Sequence, residues 1–292
     1  MSISNAMDKL AQRHPDKRVM ITGATSGLGE ALAIEFASAG WQVAVTGRST
    51  KKAQGAADLV SQHGGKALPI VMEITRPEDF DRVYTEINDA WGGLDVLVNN
   101  AGIAGTGNFE DISIASWQNL LDTNLWSVIY GCRTFLPLLK QSGGHIVNVA
   151  SAAGLYCAPG MANYNVAKAG VIALSETLRA ELSPDDIRVT VSCAEFFKSG
   201  LLDANKGTAD SSSDGDDKMR ARAKADSEAS AYSSKDIARY TINSMANGQL
   251  YSLPMRETRM GWQALRSLPE TSRTMMAWMF RKQLWKFAPV DK

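Results

Sequence analysis

The sequence predicts an α/β fold: a doubly wound three-layer sandwich around a seven-stranded parallel sheet, with a helical extension at the C-terminus. Three observations predict it. Short apolar runs rich in Val, Ile and Leu alternate with longer helical patterns along the chain. Several of these runs are apolar nearly end to end, as strands buried on both faces must be. Strand–helix alternation then implies right-handed crossovers between parallel strands.

The elements follow in order. A first strand over residues 18–22 leads to a helix over 27–39, with Gly40 placed to end it. Strands over 42–46 and 67–74 flank a helix over 50–62, and a helix over 78–90 precedes a strand over 94–99. A long helix covers 114–139, then come a strand (145–150), a helix (163–182), a strand (188–193), a helix (235–245) and a last strand (249–253). A single domain thus accounts for residues 1–292. Two segments stand apart. Residues 203–230 are small and polar and read as a substrate lid, with a short helix at 218–225. Residues 256–292 are basic and aromatic, and Met276, Phe280, Leu284 and Phe287 recur there at helical spacing. That tail fits a packed or subunit-contact helix, a lid, or a helix on an anionic membrane surface.

Composition excludes several function classes. Hydrophobic residues at 45% and charged residues at 21% are ordinary for a folded soluble chain, which argues against wholesale disorder. Lys plus Arg (31) equals Asp plus Glu (31), so there is no basic surplus to suggest a nucleic-acid partner. Three scattered cysteines (Cys132, Cys157, Cys193) make neither a disulfide framework nor a zinc cluster, and predict a reducing, cytoplasmic setting. His14, His63 and His145 lack ligand spacing, so no metal is expected. The charged stretch before His14 does not read as a signal peptide, and no apolar run is long enough to span a membrane.

The first strand ends in Thr22-Gly23-Ala24-Thr25-Ser26-Gly27-Leu28-Gly29, and a helix begins there. Gly23, Gly27 and Gly29 permit unusual dihedrals and a close backbone approach. Thr25, Ser26 and Leu28 lie at a helix N-terminus that would stabilise a pyrophosphate. Placed after a strand and before a helix, this is a Rossmann-type dinucleotide signature. The second strand ends in Gly47-Arg48-Ser49 with no acid to accept from a ribose 2′-hydroxyl. Arg48 and Ser49 suit a 2′-phosphate instead, so the expected cofactor is NADP(H).

Tyr164 and Lys168 stand at i, i+4 on the predicted helix and share a face. An adjacent ammonium lowers a phenol pKa from about 10, and the pair could then exchange a proton with a carbonyl or alcohol. Ser151 lies at the end of the strand over 145–150, and Asn99-Asn100-Ala101-Gly102 and Asn124 precede it. In this order and spacing the motifs closely resemble the short-chain dehydrogenase/reductase family, over about Lys17 to Pro254.

The resemblance implies Tyr164 as acid/base and Lys168 as ligand of the nicotinamide ribose and modulator of Tyr164. It implies Ser151 as donor to the substrate oxygen, and Asn124 as holder of a water in a proton relay. It places Asn100, Ala101 and Gly102 near the adenosine ribose, Glu73 and Ile74 against the adenine, and Phe197 near the nicotinamide carboxamide. It also implies a homodimer or homotetramer through the helices over 114–139 and 163–182. One departure is visible: where the family has Pro-Gly after the sixth strand, this chain has Ala194-Glu195. A carboxylate there either favours the oxidised nicotinamide, or points to solvent or pairs with Lys198.

The expected activity is NADP(H)-dependent hydride transfer with a moderately hydrophobic ketone, aldehyde or secondary alcohol. The alternatives are a 3-oxoacyl-thioester reductase and a non-catalytic NADP-binding sensor.

Overall fold

The computed structural model describes residues 1–199, 201 and 214–282, excepting the side chains of 214–220. The strands are β1 (Arg18–Ile21), β2 (Gln42–Gly47), β3 (Lys66–Val71), β4 (Val96–Asn99), β5 (His145–Val149), β6 (Arg188–Ser192) and β7 (Tyr251–Ser252). They form one parallel sheet in the order β3-β2-β1-β4-β5-β6-β7. The chain winds outward in both directions from β1, so the order reverses between β1 and β4. At such a switch point the strand C-termini open a crevice.

The helices are α1 (Ile3–Arg13), α2 (Gly27–Ser38), α3 (Thr50–Gln62), α4 (Pro77–Trp91), α5 (Ile114–Leu121), α6 (Ser127–Ser142), α7 (Ala152–Tyr156), α8 (Ala162–Glu181), α9 (Asp214–Ala229), α10 (Ser234–Ala246), α11 (Arg256–Ser267) and α12 (Pro269–Arg281). They sort onto two faces through the period-two alternation of the strands. Val19 and Ile21 of β1 pack with Leu32 and Phe36 of α2 and Ile237 and Ile242 of α10. Met20, between them, packs on the opposite side with Phe80 of α4, Phe135 of α6 and Val171 of α8. The result is the expected three-layer sandwich.

Four elements differ from the sequence expectation. α1 is capped by Ser2 and buries Ala6, Met7 and Leu10, although the N-terminal stretch reads as polar. The long helix expected over 114–139 is interrupted by a π-helical turn at Asp122–Trp126. α7 fills a stretch expected to be loop. Of the expected lid, residues 203–213 lie outside the described residues, and the remainder forms α9, longer than the short helix expected there. In the tail, α11 and α12 are the expected helices, and Leu284 and Phe287 lie outside the described residues. No helix among the described residues is long and apolar enough to cross a membrane.

His14, at the end of α1, has no accessible surface, and its ring meets Trp41 edge-on at 6.4 Å. Neither ring nitrogen has a hydrogen-bond partner in the protein. Burial therefore lowers its pKa from 6.5 to about 4, against the opposing charge of Asp95. An unfolded chain binds this proton first. The stability contributed by neutral His14 is thus complete above about pH 6.5 and is lost as pH falls toward 4, up to about 3 kcal/mol. The urea midpoint is expected to drop across that window, and His14→Phe to flatten the drop. An equal slope in wild type and variant would contradict this.

Candidate functional site

The glycine-rich loop after β1 closes one end of the crevice. Gly23 and Gly27 have φ of +64° and +58°, which side chains rarely adopt. Gly29 is needed for a different reason: a Cβ there would lie 2.4 Å from both the Gly23 carbonyl oxygen and Asn100 Nδ2. Asn100 binds this loop to β4, donating through Nδ2 to the carbonyls of Thr22 (2.9 Å) and Gly23 (3.2 Å). Thr22 Oγ1 accepts the backbone N–H groups of Asn100 and Ala101 at 2.9 and 3.0 Å. Ser26 caps α2 without a side-chain bond, so the first-turn N–H groups face the crevice unsatisfied by a cap.

β2 delivers Arg48 to the crevice rim, where it is exposed. Lys52, one turn into α3, lines the same cavity, and the sequence reading missed it. The available signal was its position in the first turn of the helix after β2. Ser49 instead caps α3, accepting from the Lys52 N–H at 3.4 Å. The Glu73 carboxylate turns back on Thr75, accepting from its N–H (3.3 Å) and hydroxyl (3.2 Å), so it presents a satisfied carboxylate beside Ile74.

At the other end, Ser151 ends the segment after β5 and caps α7, accepting the Ala153 N–H at 3.2 Å. Tyr164 and Lys168 face it from the first turns of α8. The buried Lys168 Nζ donates to the Val149 carbonyl at 2.8 Å and lies 5.7 Å from the Tyr164 ring centroid. Desolvation raises the Tyr164 pKa above 10, and a hydrogen bond with Ser151 works against that rise. Desolvation also lowers the Lys168 pKa to about 8. Burial thus raises the phenol pKa, where the sequence reading expected the neighbouring ammonium to lower it.

Asn124 sits in the π turn with its side chain committed in both directions to Ile103: Oδ1 accepts the Ile103 N–H and Nδ2 donates to its carbonyl, each at 2.8 Å. That side chain fixes the wall beyond Gly102.

One cavity of about 1310 Å³ joins both ends. Every predicted catalytic or cofactor-binding residue lines it except Gly29, Ser49 and Asn124, which support its walls as described. Phe197 lines it as well, and its carbonyl accepts from Ser227 of α9 at 2.6 Å. Glu195 neither faces solvent alone nor pairs with Lys198. Its Oε1 accepts from Thr258 of α11 at 2.9 Å and from the Tyr156 hydroxyl at 3.4 Å.

A family model described as short chain dehydrogenase matches residues 17–209. The chain is 37% identical over 187 residues to 11-beta-hydroxysteroid dehydrogenase 1A of Arabidopsis thaliana, covering 63% of this chain and 53% of that protein. It therefore spans about half of that relative's length. It is 33% identical over 184 residues to the 3-oxoacyl-(acyl-carrier-protein) reductase of Aquifex aeolicus, covering 62% of this chain and 74% of that one. Among solved structures, a short-chain dehydrogenase/reductase from Burkholderia phymatum in complex with NAD shares the fold, with a TM-score of 0.82 and 24% identity over 88% of this chain and 95% of that one. A short-chain dehydrogenase from Sphingobium yanoikuyae in complex with NADPH gives 0.71 and 26% over the same shares. With its glycine loop at the switch point, its Ser151, Tyr164 and Lys168 in one crevice and its match to the family model, this chain belongs to the short-chain dehydrogenase family.

Proposed function

We propose that the chain is an NADP(H)-dependent oxidoreductase acting on ketones, aldehydes or secondary alcohols, with Tyr164 as acid/base. The observation that carries the reading is the single cavity joining the α2 N-terminus, the cations Arg48 and Lys52, and the Ser151–Tyr164–Lys168 cluster. A dinucleotide fits these residues. The glycine loop and α2 dipole suit a pyrophosphate, and two cations without a competing acid on β2 suit a 2′-phosphate.

When bound, the nicotinamide supplies or accepts the hydride. The chain's own part is electrostatic and protonic. As a carbonyl is reduced, negative charge gathers on its oxygen, where the Ser151 hydroxyl and Tyr164 phenol converge as donors. Ser151 accepts the Ala153 N–H at 3.2 Å and donates to the Ala194 carbonyl over a long 3.4 Å bond, which its proton would exchange for the substrate oxygen. Tyr164 is protonated at neutral pH, its phenol pKa raised further by desolvation, and so has that proton to give. Lys168, anchored on Val149, holds its ammonium beside the ring and would bind the nicotinamide ribose. Asn124 positions this corner through Ile103.

The test is loss of NADPH absorbance against a panel of carbonyl compounds, run in parallel with NADH. Turnover with NADPH preferred is expected, and Arg48→Asp combined with Lys52→Ala should raise the KM for NADPH by about tenfold while sparing NADH. A preference for NADH in the wild type would contradict the cofactor assignment. Binding without turnover of any carbonyl would make the chain a sensor. A second reading, reduction of 3-oxoacyl thioesters, is favoured by the likeness to the Aquifex aeolicus reductase, and such a thioester belongs in the panel. A homodimer or homotetramer is also part of the proposal. Trp126 in the π turn and Val166 on α8 expose 44% and 49% of their surface on the helices expected to pair.

A further inference from the structure

Glu195 is one of several ties between the tail and the body, among them Arg266 of α11 to Glu176 of α8 at 3.2 Å, and it stands at the reactive end. Glu195 follows β6, and its Oε1 accepts from Thr258 (2.9 Å), a fully buried residue in the first turn of α11. The same oxygen accepts from Tyr156, the last residue of α7, whose hydroxyl also lies 3.4 Å from the Glu257 carbonyl. α11 closes directly on this ring: a Cβ at Gly261 would sit 3.0 Å from the Tyr156 hydroxyl. Arg273 of α12 donates to the Tyr156 carbonyl. Both tail helices therefore meet at a hub five residues after Ser151 and eight before Tyr164.

Tyr156, Glu195 and Glu257 of this hub line the cavity themselves. The tail contributes Met279 to the lining and the segment before it Met255, and Ile103, Met161, Phe196 and Leu201 line the cavity as well. Unbranched methionines adapt to irregular apolar shapes, and such a lining takes apolar bulk around a few polar groups.

We propose that Glu195 latches α11–α12 over the carbonyl end of the cavity, and that the wall so held selects bulky apolar carbonyl compounds. The selection rests on the oxidoreductase reading above; the latch itself does not. Thr258 is fully buried and has no water to turn to when the bond is lost. A glutamine at 195 still accepts from Thr258 and Tyr156, whereas an alanine cannot.

The experiment compares full-length wild type with Glu195→Ala, Glu195→Gln and Thr258→Val. Amide hydrogen exchange is read over residues 256–281, and KM is measured for an aryl alkyl ketone and for acetone. Glu195→Ala and Thr258→Val are expected to speed exchange in α11–α12 by about tenfold, with β1 and α2 keeping wild-type protection. The same two variants should raise the KM ratio of aryl ketone to acetone severalfold, and Glu195→Gln should restore both readouts. Wild-type exchange in Glu195→Ala overturns the latch. Faster exchange with an unchanged KM ratio overturns the selecting wall. If Glu195→Gln behaves like Glu195→Ala, charge rather than the bond is what matters, and the latch is overturned as well. If no carbonyl is turned over by the wild type, the oxidoreductase reading and the selecting wall both fail, while the exchange result alone decides the latch.

Discussion

Replacing Tyr164 with Phe is expected to lower carbonyl turnover by about 10²–10⁴-fold, the usual worth of a positioned acid/base, while the variant still folds and takes up NADPH. The change removes one oxygen. The ring stays in place on α8, and Lys168 keeps its bond to the Val149 carbonyl. What is lost is the proton donor facing Ser151, where negative charge would gather on the substrate oxygen. Single-turnover absorbance with saturating NADPH measures the loss. Turnover within a factor of about two of wild type would remove Tyr164 from the chemistry, since an acid/base contributes far more than that.

Gly29→Ala is expected to act at the other end, without touching the cavity surface. The new Cβ would lie 2.4 Å from the Gly23 carbonyl oxygen and from Asn100 Nδ2. Neither can retreat: Gly23 O accepts from Asn100, and Asn100 also holds Thr22 O. α2 must move off β1, opening the turn that aims its N–H groups into the crevice. Forced overpacking of this kind costs about 1–3 kcal/mol. Urea unfolding should show that loss, and fluorescence titration should show NADPH affinity falling by tenfold or more, since about 1.4 kcal/mol is a factor of ten. Gly40→Ala is the control for the exchange of a glycine as such; it has φ of +75° but open space around its Cβ, so any cost there is backbone strain alone.

The sheet was legible in the sequence because parallel strands covered on both faces must be apolar throughout, as Val43-Ala44-Val45 and Val96-Leu97-Val98 are. The helices between them were legible by period. α1 was not, because three buried residues, Ala6, Met7 and Leu10, carry it amid polar neighbours. The π turn at Asp122–Trp126 leaves no trace in side-chain spacing, since its cause lies in the backbone ladder.

In the crevice, Ser151, Tyr164 and Lys168 could be read from spacing because local geometry sets them: a strand end and one helical turn. Lys52 escaped notice because a lysine near a helix start is ordinary until the cavity beside it is seen. The protonation of Tyr164 could not be read at all. Spacing supplies the neighbouring amine, but only the packed structure shows that burial raises the phenol pKa and lowers that of the amine. Glu195 was visible as a departure, yet its partner Thr258 lies 63 residues away, beyond the last strand.

The central claim is that this crevice carries a hydride between a nicotinamide and a carbon bearing oxygen. The direct measurement is reduction of a carbonyl compound with NADPH deuterated at one face of nicotinamide C4 and again at the other, followed by mass spectrometry of the alcohol. One deuterium on the carbinol carbon from one labelled face, and none from the other, is the predicted result. An alcohol without label from either face, or no alcohol across the whole panel, would contradict it.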